Sequence, residues 1–195
     1  MDVVVLRTER CELSPPTDAD VDAIFEACQD PAIQRYTTVP SPYLREHAEQ
    51  FIPRVQRHWA EGREATWGIR HDGRLAGMIG LYRREPDAAE LGFWMAPWAR
   101  RQHLLTEAAT AVVDFGFESA GMSLVRIEWR AVVGNTGSAR TARALGFRYE
   151  GTLRQALAGP LQRDDAWIAG LLPGDDRTPV AWPVLDRGLP PIPTP

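Results

Sequence analysis

Two stretches of the chain combine residue types and spacings that can do chemistry. The first, Glu90–Glu107, reads E-L-G-F-W-M-A-P-W-A-R-R-Q-H-L-L-T-E. A strand-like run stops at Pro97, a short loop carrying Arg100 and Arg101 follows, and a long helix opens near Leu104. Backbone amides at such a helix start are unpaired and sit at the positive end of the helix dipole. They form an anion site suited to a pyrophosphate. The second stretch, Asn135–Glu150, reads N-T-G-S-A-R-T-A-R-A-L-G-F-R-Y-E and opens a short helix with an amide and a hydroxyl side chain. Other chemistries find little support. His47, His58, His71 and His103 are scattered without metal-ligand spacing, and no nucleophilic cysteine or serine–histidine arrangement is evident. Every one of the 22 basic residues is arginine, which removes lysine-based chemistry.

These segments must be held by a mixed α/β scaffold. Leu6 to Leu13 alternates well enough for a first strand, ended by Ser14-Pro15-Pro16. Thr17, Asp18 and Asp20 start a helix whose apolar stripe is Val21, Ile24, Phe25 and Cys28, and Asp30-Pro31 stops it. A second helical pattern runs from about Tyr43 to Glu61, where Pro53 predicts a kink or two shorter helices. Ala65 to His71 and Arg74 to Tyr82 read as strands joined by Asp72-Gly73, a hairpin signal. A further strand covers Glu90 to Ala96. Leu104 to Phe117 is the strongest helix, apolar on more than one side as a helix lying centrally on a sheet would be. Ser123 to Val133 is the next strand, Ser138 to Leu145 a short helix closed by Gly146, and Phe147–Arg154 and Ala166–Leu172 two more strands. Residues 1–172 read as one domain. Seven prolines in the last 23 residues make 173–195 a Pro-rich tail, either an extended strap or a disordered end.

The order and spacing of these motifs resemble the GNAT superfamily, in its ribosomal-protein N-acetyltransferase branch. There a strand ending E-L-G-Y-W-V-A-P leads into R-G-R-G-x-A-T-E-A, and a later block reads N-x-x-S-x-R…L-G-F-x-x-E-G. Thr8-Glu9-Arg10, Asp30-Pro31…Arg35-Tyr36, Trp67-Gly68-Ile69 and Gly77-Met78-Ile79-Gly80-Leu81 add matches in family order, so the resemblance covers roughly residues 7 to 172. It implies a central, mostly antiparallel sheet with flanking helices, whose fourth and fifth strands, Glu90–Ala96 and Ser123–Val133, splay apart. It also implies acetyl-CoA, or another acyl-CoA, as co-substrate and no metal. The pantetheine arm would bond the backbone around Phe93, Trp94 and Met95, and the pyrophosphate would sit on the loop of Arg100, Arg101, Gln102, His103, Leu104, Leu105 and Thr106. Asn135 would hold the pantetheine, Ser138 would lie near the thioester sulfur, and Glu90 would help deprotonate the amine. The tyrosine that many relatives use as general acid falls at Ala142, which leaves Ser138 as its substitute, with Asn135 competing as the helix cap. One departure stands out: His103 occupies a family glycine position, where a β-carbon crowds phosphate although histidine tolerates unusual backbone angles.

The expected activity is therefore N-acyl transfer to a peptide N-terminal or small-molecule amine, by direct attack in a ternary complex. The alternative is a catalytically silent GNAT-fold protein with a degenerate pyrophosphate loop. A formal charge of −4 argues against a nucleic-acid partner. No apolar run reaches the roughly 18 residues of a transmembrane helix. No signal-peptide pattern opens the chain, and Cys11 and Cys28 are too few for a disulfide framework, so a cytoplasmic location is expected. A homodimer is a family-level expectation.

Overall fold

A computed structural model describes residues 1–159 and 162–186. Among these residues, eight strands form one sheet in the order β1-β2-β3-β4-β5-β6-β8-β7, antiparallel throughout except between β5 and β6. The strands are β1 (Leu6–Arg7), β2 (Glu12–Ser14), β3 (Glu64–His71), β4 (Arg74–Glu85), β5 (Ala88–Met95), β6 (Arg126–Val132), β7 (Arg148–Ala158) and β8 (Arg163–Leu171). Helices α1 (Val21–Ala27), α2 (Pro31–Tyr36) and α3 (Arg45–Glu61) pack on one face, and α4 (Leu104–Phe117) and α5 (Thr136–Ala144) on the other. This is the mixed sheet with flanking helices that the sequence implies. Among the described residues, no helix is long and apolar enough to cross a membrane.

Several elements follow directly from local chemistry. Asp72 and Gly73 both take positive φ, 50° and 74°, the geometry of a tight turn whose twist matches a hairpin. Helix α4 begins and ends at the residues its apolar pattern indicates. It buries Leu104, Ala108, Ala109, Val112, Val113 and Phe115 against the sheet. Gly77 on β4 is a close-approach glycine: a β-carbon there would come 2.3 Å from the Trp94 carbonyl oxygen. Its absence lets β4 hold β5 along the whole length to Met95.

Four expectations are corrected. The first strand is two, β1 and β2, because the Thr8 hydroxyl and backbone bond Cys11 and fold Thr8–Cys11 into a turn. Asp30-Pro31 does not merely end a helix but starts α2. Asp30 caps it by accepting from the Ile33 amide, and Pro31 sits at the first helical position, where no amide donor is needed. Helix α3 runs through Pro53 as one element of 17 residues. Finally, Thr17 opens a 3-10 turn, Asp18–Asp20, ahead of α1 rather than the helix itself, and the Asp20 carboxylate accepts the Thr17 amide and pairs with Arg70 at 2.7 Å.

The tail is a strap over the described residues 173–186. Trp182 is wholly buried, with its indole donating to the Phe147 carbonyl and its ring against Trp129 and Tyr149. Asp186 ties the strap to Arg143 on α5, and Arg177 ties it to Asp114 on α4. Residues 187–195, part of the predicted tail, lie outside the described residues. Because this indole completes the core, Trp182→Ala should destabilise the protein by about 3–5 kcal/mol. Urea unfolding measures this, and a loss below about 1 kcal/mol would show that the strap is dispensable.

Candidate active site

The site is built where β5 and β6 part. Their parallel pairing runs Ala88↔Arg126, Ala89↔Ile127 and Glu90↔Glu128, and then stops. Beyond it β5 stays on β4 to Met95, while β6 stays on β8 to Val132, so the two halves of the sheet diverge. The direction of the free backbone groups can be read from their neighbours. The Ala96 amide donates to the Ala76 carbonyl at 2.8 Å, beside β4. Because successive residues of a strand alternate direction, Gly92 and Trp94 also turn their backbone to β4, whereas Phe93 and Met95 turn theirs into the gap. On the other side the Val133 amide donates to Asp165 beside β8, so Arg130 and Val132 face the gap. An extended ligand with amide groups can pair with such an open edge.

Both strands run the same way, so both crossovers deliver helix N-termini to the open end. After β5 come the turn Pro97–Ala99, the loop 100–103 and α4; after β6 comes α5. Arg101 and His103 hold positive φ, 63° and 61°, with His103 the residue that precedes α4. This explains the family glycine physically: the position is left-handed, which glycine takes freely and histidine takes at a cost. The backbone shape survives the substitution. Arg101, Gln102 and His103 are exposed, Leu104 is buried, and Leu105 and Thr106 are half-buried at the start of α4. The first-turn amides of α4 thus open beside the exposed side chains of Arg101 and His103.

A clamp holds this loop that sequence reading did not foresee. Glu107, in the first turn of α4, accepts from the Thr8 hydroxyl at 2.6 Å and from the Arg10 amide and Nε, both at 2.8 Å. Arg10 also donates to the Gln102 carbonyl. The Thr8-Glu9-Arg10 motif therefore has a function: it braces the loop from the edge of the sheet. Burial alone would raise the Glu107 pKa, but the hydrogen bonds from Thr8 and Arg10 outweigh it and hold the carboxyl below its ordinary value.

Arg100 is engaged elsewhere. It donates to the Met95 carbonyl and pairs with Asp30 at 2.9 Å, while Arg35 pairs with Asp164 at the start of β8, also at 2.9 Å. Two guanidinium–carboxylate pairs thus pin α2 to the β5 side and the β8 side of the splay.

At the vertex, Glu90 Oε2 accepts from Arg84 at 2.7 Å; Oε1 has no partner among the described residues. The cross-strand register places Glu64, Tyr82, Glu90 and Glu128 in one row on one face, so Tyr82 and Glu128 flank Glu90. Burial, chiefly, and the Glu64 carboxylate push the Tyr82 phenol above its ordinary value. Trp94 lies on that same face, packed toward α1–α3. At the mouth, Asn135 caps α5 by accepting from the Ser138 amide at 3.3 Å, and its Nδ2 has no partner among the described residues. Ser138 is therefore free of the capping role, and its Oγ accepts from Trp129 Nε1 at 2.9 Å.

The Glu107 clamp gives a signed pH dependence. A carboxyl whose folded pKa is depressed stabilises the fold above the ordinary carboxylate range, about 4.3, and loses that contribution as pH falls through its folded value. Glu107→Gln should cost about 1.5–3 kcal/mol at neutral pH. It should also flatten the loss of stability below about pH 4. Urea unfolding of both proteins across pH 3–7 tests this, and parallel curves would exclude the clamp.

Comparison with known proteins places the fold and the family. A model of the acetyltransferase (GNAT) domain matches residues 10–148. The uncharacterized N-acetyltransferase YoaA of Bacillus subtilis is 32% identical over 155 residues, spanning 77% of this chain and 86% of its own. A Salmonella typhimurium acetyltransferase that modifies the N-terminal serine of a 50S ribosomal subunit protein has a TM-score of 0.77. It is 18% identical and spans 87% of this chain and 99% of its own. MccE, a microcin self-immunity acetyltransferase solved with acetyl-CoA and AMP, has a TM-score of 0.75 at 16% identity, spanning 84% and 93%. The structural likenesses show the fold; the domain match and YoaA show kinship. The chain belongs to the GNAT acetyltransferase family.

Proposed function

We propose that the enzyme moves an acetyl, or another short acyl, group from acyl-CoA to the primary amine of a peptide N-terminus or small molecule, by direct attack in a ternary complex. The observation that carries this reading is the open backbone edge of Phe93 and Met95, with Asn135 and Ser138 at its mouth. Bound acyl-CoA supplies an activated thioester, and the donor set fits it. Phe93 and the Met95 amide offer backbone partners to the pantetheine, Asn135 Nδ2 offers a further donor, and the α4 amides suit the pyrophosphate. Arg101 and His103 stand at the rim of that anion site. The backbone of Trp94 faces β4, and Arg100 acts as a brace rather than a phosphate donor.

Each residue then has a defined task. As the amine nitrogen bonds the carbonyl carbon, it loses a proton, which Glu90 Oε1 takes directly or through a water. As the carbon–sulfur bond breaks, its electron pair stays on sulfur, and the Ser138 hydroxyl donates a hydrogen bond to that charge. A serine hydroxyl is less acidic than a thiol, so Ser138 keeps its proton and acts as a hydrogen-bond donor.

A peptide amine is the favoured acceptor, because the Salmonella protein of the same fold modifies an N-terminal serine. Such an acceptor and acyl-CoA meet in the cytoplasm. A homodimer is the assembly this reading expects, and light scattering on the purified protein measures it.

Acetyl-CoA should bind with micromolar affinity, about −8 kcal/mol. At 100 times the dissociation constant it should raise stability by about 2.7 kcal/mol. An unchanged melting temperature at millimolar acetyl-CoA would favour a catalytically silent fold. His103→Gly should bind acetyl-CoA at least as tightly as wild type, because glycine keeps the left-handed backbone; calorimetry decides, and lost binding would make the imidazole a ligand.

Binding and chemistry should also separate. Asn135→Ala should weaken acetyl-CoA affinity by about 1–3 kcal/mol. Ser138→Ala should leave that affinity nearly unchanged and lower kcat by roughly ten- to thousandfold. Normal turnover by Ser138→Ala, measured as thiol release with a serine-initiated peptide, would remove Ser138 from the chemistry.

A further inference from the structure

We infer that Trp129 is a positioning residue for acyl transfer: its indole N–H fixes the Ser138 hydroxyl as a hydrogen-bond donor to the departing sulfur, and Trp182 of the C-terminal strap holds it there. The inference rests on the acyl-transfer reading of the site.

Trp129 follows Glu128, the last β6 residue paired with β5, and so stands where the strands begin to part. Its ring points to the α4–α5 face and is 1% exposed. Nε1 lies 2.9 Å from Ser138 Oγ. An indole nitrogen can only donate, so in this bond the serine oxygen can only accept. The backbone N–H of Ser138 is already given to Asn135. Among the described residues, the hydroxyl hydrogen has no acceptor, and Ser138 is only half-buried, in the first turn of α5. Its backbone N–H is taken and its oxygen accepts the indole N–H, so the hydroxyl hydrogen is left as a donor at the mouth of the splay.

The direction of this chain has chemical consequences. In N–H···O–H···S each bond polarises the next, so the indole makes the hydroxyl a stronger donor as negative charge collects on sulfur. It also removes the rotamers in which the hydroxyl would turn away. Without the N–H, a hydroxyl in the first turn of a helix is free to rotate to other partners.

Trp129 is in turn immobilised by packing. Its ring lies 5.6 Å from that of Trp182, which has no exposed surface, and the Trp182 ring in turn lies 5.6 Å from that of Tyr149. Trp182 donates to the Phe147 carbonyl, and its own amide donates to Asp186, which Arg143 of α5 also binds. The strap thus locks ring and helix together, and with them both ends of the Trp129–Ser138 bond.

The test is a double-mutant cycle in the full chain, with acetyl-CoA and a serine-initiated peptide. Trp129→Phe should lower kcat by about tenfold or more while leaving the acetyl-CoA dissociation constant within about twofold. In the Ser138→Ala background the same substitution should cost nothing further, because it acts only through that hydroxyl. If Trp129→Phe fails to fold, benzothienylalanine at position 129 keeps the ring shape and removes only the N–H; the same pattern is expected of it. Unchanged kcat would overturn the role, as would an equal loss in both backgrounds, which a merely structural tryptophan would give. A wild-type protein that releases no thiol with any acyl-CoA or amine overturns the acyl-transfer reading and this role with it. A wild type that turns over while the variants behave otherwise overturns the role alone.

Discussion

One pairing organises this molecule: the three-residue parallel contact between β5 and β6. In a sheet otherwise built from antiparallel neighbours, a single parallel pair forces a long crossover, and α4 fills it. Parallel direction also brings the C-terminal ends of both strands together, and hence the N-termini of α4 and α5. A longer ladder would have sealed the sheet. By ending at Glu90 and Glu128 it leaves two strand edges without a strand partner inside one domain, where edge groups normally have to be covered or charged. The cleft is thus an interruption of hydrogen bonding, held open by antiparallel partners on either side.

Around that interruption the stabilising interactions are chiefly guanidinium–carboxylate pairs. Arg10–Glu107 braces the loop before α4, Arg100–Asp30 and Arg35–Asp164 fix α2 across the two halves of the sheet, and Arg143–Asp186 fastens the strap. Arginine suits this work because its planar fork meets a carboxylate at two points and thereby fixes direction as well as distance. A chain whose basic residues are all arginine is well supplied with such braces. The acids involved come from positions separated widely in sequence, which is why the braces link elements rather than decorate single helices.

The sheet's middle was legible from the chain because its signals are local. Asp72-Gly73 sets a hairpin, the apolar pattern of Leu104–Phe117 fits only a central helix, and Pro97 marks the end of β5. At α5 residue type left the cap open between Asn135 and Ser138, and the structure gives it to Asn135. What stayed hidden was non-local. Nothing near Glu107 says that Thr8 and Arg10 will reach it, and nothing near Asp30 says that Arg100 will. Proline misled twice: as the first residue of α2, where it replaces an amide the helix does not use, and inside α3, where the remaining packing outweighs one lost bond. His103 was legible as a departure from a pattern, but only the backbone angle shows which property of glycine the pattern depends on.

The buried strap has a consequence for the order of events during synthesis. Trp182 follows all eight described strands, yet its ring packs between those of Trp129 and Tyr149. A nascent chain that has already made the whole sheet therefore still exposes an aromatic cavity in its core. Vectorial folding, which favours N-terminal elements first, can assemble α1–α3 and the hairpin of β3 and β4 early. The packing around β6 and α5 has to wait for the strap, so the half of the cleft that carries Ser138 is the last to become rigid.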